Sequence, residues 1–405
     1  MRKRREKALP LLLLLLLTLA ACTKKGAPAA AERAAGERAA TEAEMEAESP
    51  GMEEQPSPYD TVEEIVLRGD ESREELFELP KYTRLRRVDA TAYPCGEELL
   101  ALWETMQAGP GAACEIEWTV PLEGENYSSL CTELDFTGRE LEDNAELMEM
   151  LRYFPRLERV NLLSSGLTHG DVAPLADRYE NIRFLWEVEF VNYRVRSDVQ
   201  VFSTQRGATG GLGGIAGEDL APLFRYCTDL VALDIGHNQV HDLTPLTNLR
   251  HLKVLILADN GIRDISPLAE LTELEYLELF LNREIADFSP LNALTKMVDI
   301  NLSYCEKLDS LEFMENMPGL KRCWVRLTHL DREKVNEARE RYPEVELMFA
   351  SRSISATCGT WRAEERNIAI RTAFARWKDV VEFRDWEHVV YREGAIIMPA
   401  RPEIS

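Results

Sequence analysis

The chain has 405 residues, with 71 acidic against 47 basic side chains and a net charge of −24 at neutral pH. So acidic a surface excludes nucleic acid as a partner, because nucleic-acid binding relies on cationic groups that neutralise phosphates. It also opposes direct adsorption on anionic lipid. Partners are expected to be neutral, cationic or contacted through apolar groups.

The N-terminal 21 residues have the pattern of a bacterial secretory signal. A basic start is followed by an apolar run over residues 9–19, which is too short for a permanent membrane-spanning helix. The run ends in Leu19-Ala20-Ala21-Cys22, which resembles the lipobox of bacterial lipoproteins. The resemblance implies that Cys22 is diacylated and anchors the protein on the extracytoplasmic face of the cell membrane. The alternative is an ordinary secretory signal with a chance cysteine.

Residues 22–58 form a linker rich in alanine and glutamate, with no aromatic side chain. Nothing in it can bury a core, so a disordered or partly helical spacer is predicted. From Tyr59 onward the composition is that of a globular protein. The linker therefore holds the folded part away from the membrane.

Degenerate repeats are predicted over residues 59–219. The segments LRRVDA, CTELDF and LERVNL each have the alternation of a short strand, and EELLALWETM has an apolar helical face. A second echo relates CEIEWTVPL to IRFLWEVEF, with Trp118 matching Trp186 and Val120 matching Val188. These are interpreted as long repeats with true helices on the convex side.

Residues 220–349 carry regular repeats of 22–23 residues. The central copy, LKVLILADNGIRDISPLAELTE, follows L-x-x-L-x-L-x-x-N-x-I, with similar lines before and after it. This pattern is that of a leucine-rich repeat, in which L-x-L is a short strand and the asparagine turns the chain. Each coil is stable only against its neighbours. The predicted fold class is α/β, a leucine-rich-repeat solenoid with a parallel concave β-sheet.

The phrases YCTDLVALDIGHN, LKVLILADNGIRDISPL and LEYLELFLN resemble the repeats of internalin-type bacterial surface proteins and of leucine-rich-repeat lipoproteins. The resemblance implies a recognition role at the cell surface. No C-terminal cell-wall sorting motif and no helical cap before the repeats is evident, so anchoring is assigned to Cys22. The partner choice of internalins is not carried over.

Outward positions on the concave sheet form columns that run across the repeats. Aromatic side chains with arginine are typical of binding hot spots. The predicted ligand contacts are Ile256, Tyr276, Glu278, Phe280, Asn301, Trp324 and Arg326. In the alternative interpretation, Trp324 and Phe280 pack beneath residues 351–405, a predicted C-terminal capping extension that contains Trp361, Trp377 and Trp386.

No catalytic or cofactor motif emerges from the sequence. Cys131 and Cys323 are predicted to be buried thiols and Cys305 to replace the repeat asparagine, whereas Cys95 and Cys114 could pair or stay free. His237 and His241 flank a turn, where the helical geometry of a metal pair does not apply. The glycine-rich stretch 207–217 lacks the other residues of a phosphate loop and is predicted to be an insertion between repeats.

The predicted function is that of a membrane-anchored extracytoplasmic recognition protein, without metal or cofactor and without catalytic role. Its expected ligand is a protein or peptide bound on the concave face. The alternative is a carbohydrate or cell-wall binder, because stacked aromatics also serve sugars. A hydrolase with a site outside the regular repeats is the third class considered.

Overall fold

A computed structural model describes residues 57–109, 111–191, 193–204 and 214–349, four residues of the C-terminal region (Trp361, Ile368, Ile370 and Phe374) and two short C-terminal strands. The predictions for the signal peptide, Cys22 and nearly all of the linker lie outside the described residues. So does most of the glycine-rich stretch.

Short parallel strands form three separate ladders. The first joins β1 to β3, the second β6 to β8 and the third β11 to β17, all in sequence order. Two antiparallel hairpins, β4–β5 and β9–β10, follow the first and second ladders, and β18–β19 form a C-terminal hairpin. The bounds are β1 Glu64–Val66, β2 Arg87–Asp89, β3 Glu115–Glu117, β4 Thr119–Leu122, β5 Glu125–Ser128, β6 Glu133–Asp135, β7 Arg159–Asn161, β8 Arg183–Leu185, β9 Glu187–Phe190, β10 Tyr193–Arg196, β11 Val201–Ser203, β12 Ala232–Asp234, β13 Val254–Ile256, β14 Tyr276–Glu278, β15 Asp299–Asn301, β16 Arg322–Trp324, β17 Glu346–Met348, β18 Val390–Arg392 and β19 Ala395–Ile397.

Helices and 3₁₀ turns return the chain between strands. The helices are α1 Arg73–Leu76, α2 Glu97–Gln107, α3 Ala145–Met150, α4 His169–Arg178, α5 Ala221–Tyr226 and α6 Arg332–Arg341. In the regular repeats the return is a 3₁₀ turn, at Thr244–Asn248, Ser266–Glu270, Ser289–Ala293 and Glu312–Asn316. Helices α1 to α4 lie between the upstream strands, whereas the division into long degenerate and regular repeats stays a prediction. The predicted fold class, a leucine-rich-repeat fold with parallel strands, is confirmed.

The aspartate of the D-x-S/T-P motif starts three of these 3₁₀ turns. Asp242, Asp264 and Asp287 each accept a hydrogen bond at 2.8 Å from the backbone N–H two residues later. These bonds satisfy a donor that the turn leaves open. The pKa of the Asp242 carboxyl group is lowered by hydrogen bonds from the Thr244 side chain and backbone, and that of Asp287 by bonds from the Ser289 backbone and side chain, because these bonds favour the charged form.

Buried asparagines join consecutive coils. Asn282 donates to the carbonyls of Leu279 and Leu257 at 3.0 and 2.9 Å, and its Oδ1 accepts the backbone N–H groups of Asn260 and Ile262 at 3.1 Å. In the next repeat Cys305 takes this position, and its thiol lies 3.3 Å from the Leu279 carbonyl. The predicted replacement of asparagine by Cys305 is confirmed. Side chains at this position thus satisfy the backbone of two coils at once.

The residue before each of these positions has a left-handed backbone. Although left-handed backbone favours glycine, all five residues carry a side chain. They are His237 (φ 57°), Asp259 (54°), Leu281 (66°), Tyr304 (64°) and Leu327 (56°). Each repeat therefore stores a small amount of backbone strain at the same turn.

The two upstream ladders are copies of one architecture. After β3, the backbone N–H of Trp118 donates to Ser129 Oγ at 3.0 Å, and after β8 that of Trp186 donates to Ser197 Oγ at 3.3 Å. Both bonds span 11 residues and close a hairpin with a two-residue loop. The echo between Trp118 and Trp186 is therefore a duplicated block of three parallel strands and a hairpin. The sequence interpretation did not include these hairpins.

Candidate functional site

The outward positions of the parallel strands on the three ladders are here called the strand face. Over the two upstream ladders this face is polar and open. Arg87 pairs with Glu117 at 3.1 Å, and Arg159 with Glu133 at 3.2 Å, between neighbouring strands. Exposed pairs of this kind contribute about 0–1 kcal/mol each. This half of the strand face thus presents paired charges to solvent.

Over β12 to β16 the strand face is apolar and covered. A second cluster of buried side chains lies here, apart from the core between the strands and the returns. It includes three residues of the C-terminal region, Trp361, Ile370 and Phe374. These three residues therefore lie against the strand face, whereas the assignment of residues 351–405 as a capping extension stays a prediction.

All seven predicted ligand contacts lie on the strand face or at its edge, and six are buried. The expectation that their side chains are exposed is wrong for Ile256, Tyr276, Phe280, Asn301, Trp324 and Arg326, whereas Glu278 is half-buried. In agreement with the alternative, Trp324 packs against Trp361 of the C-terminal region, while Phe280 belongs to the same buried cluster. Whether the seven residues contact a ligand stays a prediction.

Trp361 is the centre of the covered region. Its side chain is only 2% exposed, and its Nε1 donates to Glu278 Oε1 at 2.9 Å. The indole lies edge-on to Trp324, with ring centroids 5.1 Å apart, and tilted against Tyr276 at 5.8 Å. The Tyr276 hydroxyl also donates to Glu278 Oε1. Aromatic pairs at such distances contribute about 0.5–1.5 kcal/mol beyond burial.

A buried ion pair supports the other side of this indole. Arg322 Nε donates to Asp299 Oδ1 at 2.6 Å, and both side chains are almost fully buried. The guanidinium carbon lies 4.4 Å from the centroid of the Trp361 ring, which is cation–π geometry. Asp299 and Arg322 face each other in the register of β15 and β16. Desolvation makes this pair sensitive to the loss of either partner.

The remaining predicted residues serve the scaffold. Asn301 Oδ1 accepts the backbone N–H of Ser303 at 3.1 Å, which closes the turn after β15. The Phe280 ring packs edge-on against Tyr304, with centroids 5.3 Å apart. The backbone N–H of Arg326 donates to Ser303 Oγ at 3.3 Å. Through Phe280 and Tyr304 the apolar cluster extends beyond the ends of the strands.

Sequence reasoning missed three members of this site. Asp299 and Arg322 fall in one outward column of adjacent repeats, so their opposite charges at facing positions were a usable signal. No such signal placed Trp361 in the site, because it lies beyond the last repeat and no periodicity relates it to a strand. The site therefore combines residues that the repeat pattern positions with one that it does not.

Cysteine and histidine provide no reactive site in the described part of the chain. Cys95, Cys114, Cys131, Cys227, Cys305 and Cys323 are free thiols, so Cys95 and Cys114 do not form a disulfide here. Cys323 is buried as predicted, and Cys131 is half-buried. Burial raises the pKa of Cys95 and Cys114 to about 11, which keeps both protonated at neutral pH. His237 and His241 are exposed, and no cluster of metal-ligating side chains occurs among the described residues.

A cavity of about 320 Å³ lies where the second ladder meets the third. Trp186 lines it and donates from Nε1 to His169 Nδ1 at 3.2 Å. Burial lowers the pKa of His169, so the neutral imidazole is favoured as acceptor. The two arginines of the lining, Arg183 and Arg225, are ion-paired with Asp229 and Asp177. We therefore assign this cavity to the junction between the two ladders and not to a reactive site.

The repeats, the parallel strands and the asparagine turns define a leucine-rich-repeat fold. A family model described as leucine-rich repeats in two copies matches residues 250–292. No curated protein matches the chain significantly. Among the described residues, no helix is long and apolar enough to span a bilayer.

Solved structures with a similar fold include an internalin, InlF, from Listeria monocytogenes, with 17% identity, a TM-score of 0.31 and coverage of 69% of this chain and 85% of that one. A leucine-rich-repeat protein of Leptospira interrogans has 14% identity and a TM-score of 0.30, over 67% and 74% of the two chains. The ectodomain of the Arabidopsis receptor kinase HAESA, solved with an IDA peptide hormone, has 17% identity and a TM-score of 0.25, over 72% and 37%. At such scores nothing about a ligand follows.

Proposed function

We propose that this protein is a non-catalytic recognition protein, tethered through a diacylated Cys22 to the extracytoplasmic face of a membrane. It binds a protein or peptide ligand on the strand face. The observation that supports this most is the seating of Trp361, because the strand face surrounds an indole with two aromatic rings, an ion pair and a hydrogen-bonding carboxylate. Such a combination is typical of protein-binding hot spots.

The ligand surface can be tested by placing a photo-crosslinking amino acid at Leu327, which is 48% exposed at the end of the strand face. The matched control carries the same group at Glu270, exposed on the 3₁₀ return on the other side of the repeat. Crosslinked protein or peptide partners are expected from position 327 alone. Equal products from both positions, or products from position 270 only, would refute the assignment of the strand face.

The anchor is tested separately with Cys22→Ser. The unchanged protein is expected in the membrane fraction with a diacylated N-terminal peptide detectable by mass spectrometry. The variant is expected to keep its signal sequence or to leave the membrane fraction. An unmodified Cys22 in membrane-bound protein would contradict the lipid anchor and leave the strand-face proposal untouched.

A further inference from the structure

The side chains that surround Trp361 form a site that is specific for an indole. We call Tyr276, Glu278, Asp299, Arg322 and Trp324 the indole site. Its carboxylate accepts the indole N–H at 2.9 Å, while the Arg322 guanidinium faces the ring at 4.4 Å. Only tryptophan supplies both a large π-face and a ring N–H donor that carries no acceptor. Phenylalanine would fill the space but leave the carboxylate with one fewer donor.

The fit of Trp361 is incomplete on one side. Trp324 is 1% exposed, and its Nε1 has no hydrogen-bond acceptor among the described residues. A buried donor without a partner carries the full cost of its desolvation. The site is thus built for an indole but is not perfectly matched to the one it holds.

Trp361 shares its buried cluster with two other apolar residues of the C-terminal region, Ile370 and Phe374. Trp361, Ile370 and Phe374 have helical backbone and are buried, whereas Ile368 is 50% exposed. Ile370 and Phe374 are four residues apart, so they share one helical face. The chain between Met348 and Trp361 could extend to about 45 Å. It is therefore long enough for the segment to leave the strand face without unfolding the last repeat.

We propose that the indole site is the binding site for a tryptophan-bearing segment of a partner protein, and that Trp361 occupies this site as a competitor within the same chain. The proposal rests on the proposed function, since it names the chemistry of the ligand that the strand face takes. Tethering gives the internal segment an effective concentration on the order of millimolar. A partner must displace it, which lowers the apparent affinity by the fraction of time the site is filled.

The test uses the full chain and a fluorescent peptide of residues 359–376, GTWRAEERNIAIRTAFAR. The native chain is expected to bind this peptide at least about tenfold more weakly than the Trp361→Ala chain does, because its own segment competes. Peptides with phenylalanine or alanine at the tryptophan position separate the indole from the rest. Loss of a hydrogen bond to a charged group predicts about ten- to a hundredfold weaker binding of the phenylalanine peptide.

Two chain variants keep the test decisive. Glu278→Gln, made in the Trp361→Ala background, is expected to weaken peptide binding, whereas Glu270→Gln on the opposite side is expected to leave it unchanged. A Trp361→Ala/Ile370→Ala/Phe374→Ala chain removes the whole internal competitor and is expected to bind the peptide at least as well. Circular dichroism establishes that each variant is folded.

Equal binding by the native and opened chains would overturn the competition. Equal binding of the tryptophan and alanine peptides would overturn the indole site. Absence of binding to both opened chains, when they are folded, would overturn the proposal as a whole. None of these outcomes bears on crosslinking from Leu327, so failure of this inference is distinguishable from failure of the proposed function.

Discussion

Replacing Asn282 with alanine tests whether the side-chain ladder holds the coils together. The substitution leaves two buried backbone N–H groups, those of Asn260 and Ile262, without the acceptor that each now has at 3.1 Å. An unsatisfied buried N–H costs about 1–3 kcal/mol, so the loss of unfolding free energy should be about 2–6 kcal/mol. The carbonyl of Leu257 loses the Asn282 donor but still accepts a hydrogen bond from the Asn260 side chain, so it adds little to the loss of unfolding free energy.

Urea denaturation followed by circular dichroism measures this loss, with Asn248→Ala as the matched control, because Asn248 is exposed at the end of a 3₁₀ turn. Asn282→Cys should cost less than Asn282→Ala, since Cys305 already occupies the same position in the next repeat. The reasoning fails if Asn282→Ala costs under about 1 kcal/mol, or if the exposed control costs as much.

Two further outcomes are expected. Leu327 has a left-handed backbone and is 48% exposed, and asparagine tolerates this backbone better than leucine does. Leu327→Asn should therefore raise the unfolding free energy by about 0.5–1 kcal/mol in thermal or urea denaturation. An unfolding free energy below that of the unchanged protein would contradict the strain argument. Burial lowers the pKa of His169, so the unfolded chain binds a proton more readily than the native one. Stability should therefore fall as pH drops below about 6.5, and His169→Gln should flatten that fall between pH 7.5 and 5.5; identical pH profiles would count against it.

The repeat spacing predicts the strands well because the positions that repeat are the buried ones. Leu255, Leu277 and Ile300 lie inward in successive strands and are fully buried, so their spacing alone locates β13, β14 and β15. Helix α6 begins after Asp331, whose carboxylate accepts the N–H of Lys334 at 2.8 Å, and an aspartate at this position is a start signal that a sequence shows directly. β1 was missed because none of its three residues is fully buried, and Val66 is 70% exposed, so it lacks the buried leucine spacing of the other strands.

The outward positions are harder to predict, because nothing in the repeat constrains them. Tyr276 and Trp324 looked like exposed aromatics, and their burial depends on Trp361, which lies outside any periodic pattern. The two hairpins were not predicted, for a different reason. The Glu123-Gly124 loop has φ values of 51° and 73°, which suit a two-residue turn, but the strand pattern of Trp118 to Leu122 was interpreted only as an echo. A glycine after an alternating run was the available signal.

The hairpins also determine how the molecule comes apart. Main-chain hydrogen bonds run without interruption inside each ladder, but the ladder ends at β3 and again at β8. Amide exchange should therefore report three cooperative segments, with the boundaries at Ser129 and Ser197. The second ladder lies between two hairpins of the same architecture. A ladder bounded in this way can be gained or lost as a whole without shifting the strand register of the next ladder. Growth by such segments would change the length of the molecule while the indole site, far along the third ladder, kept its geometry.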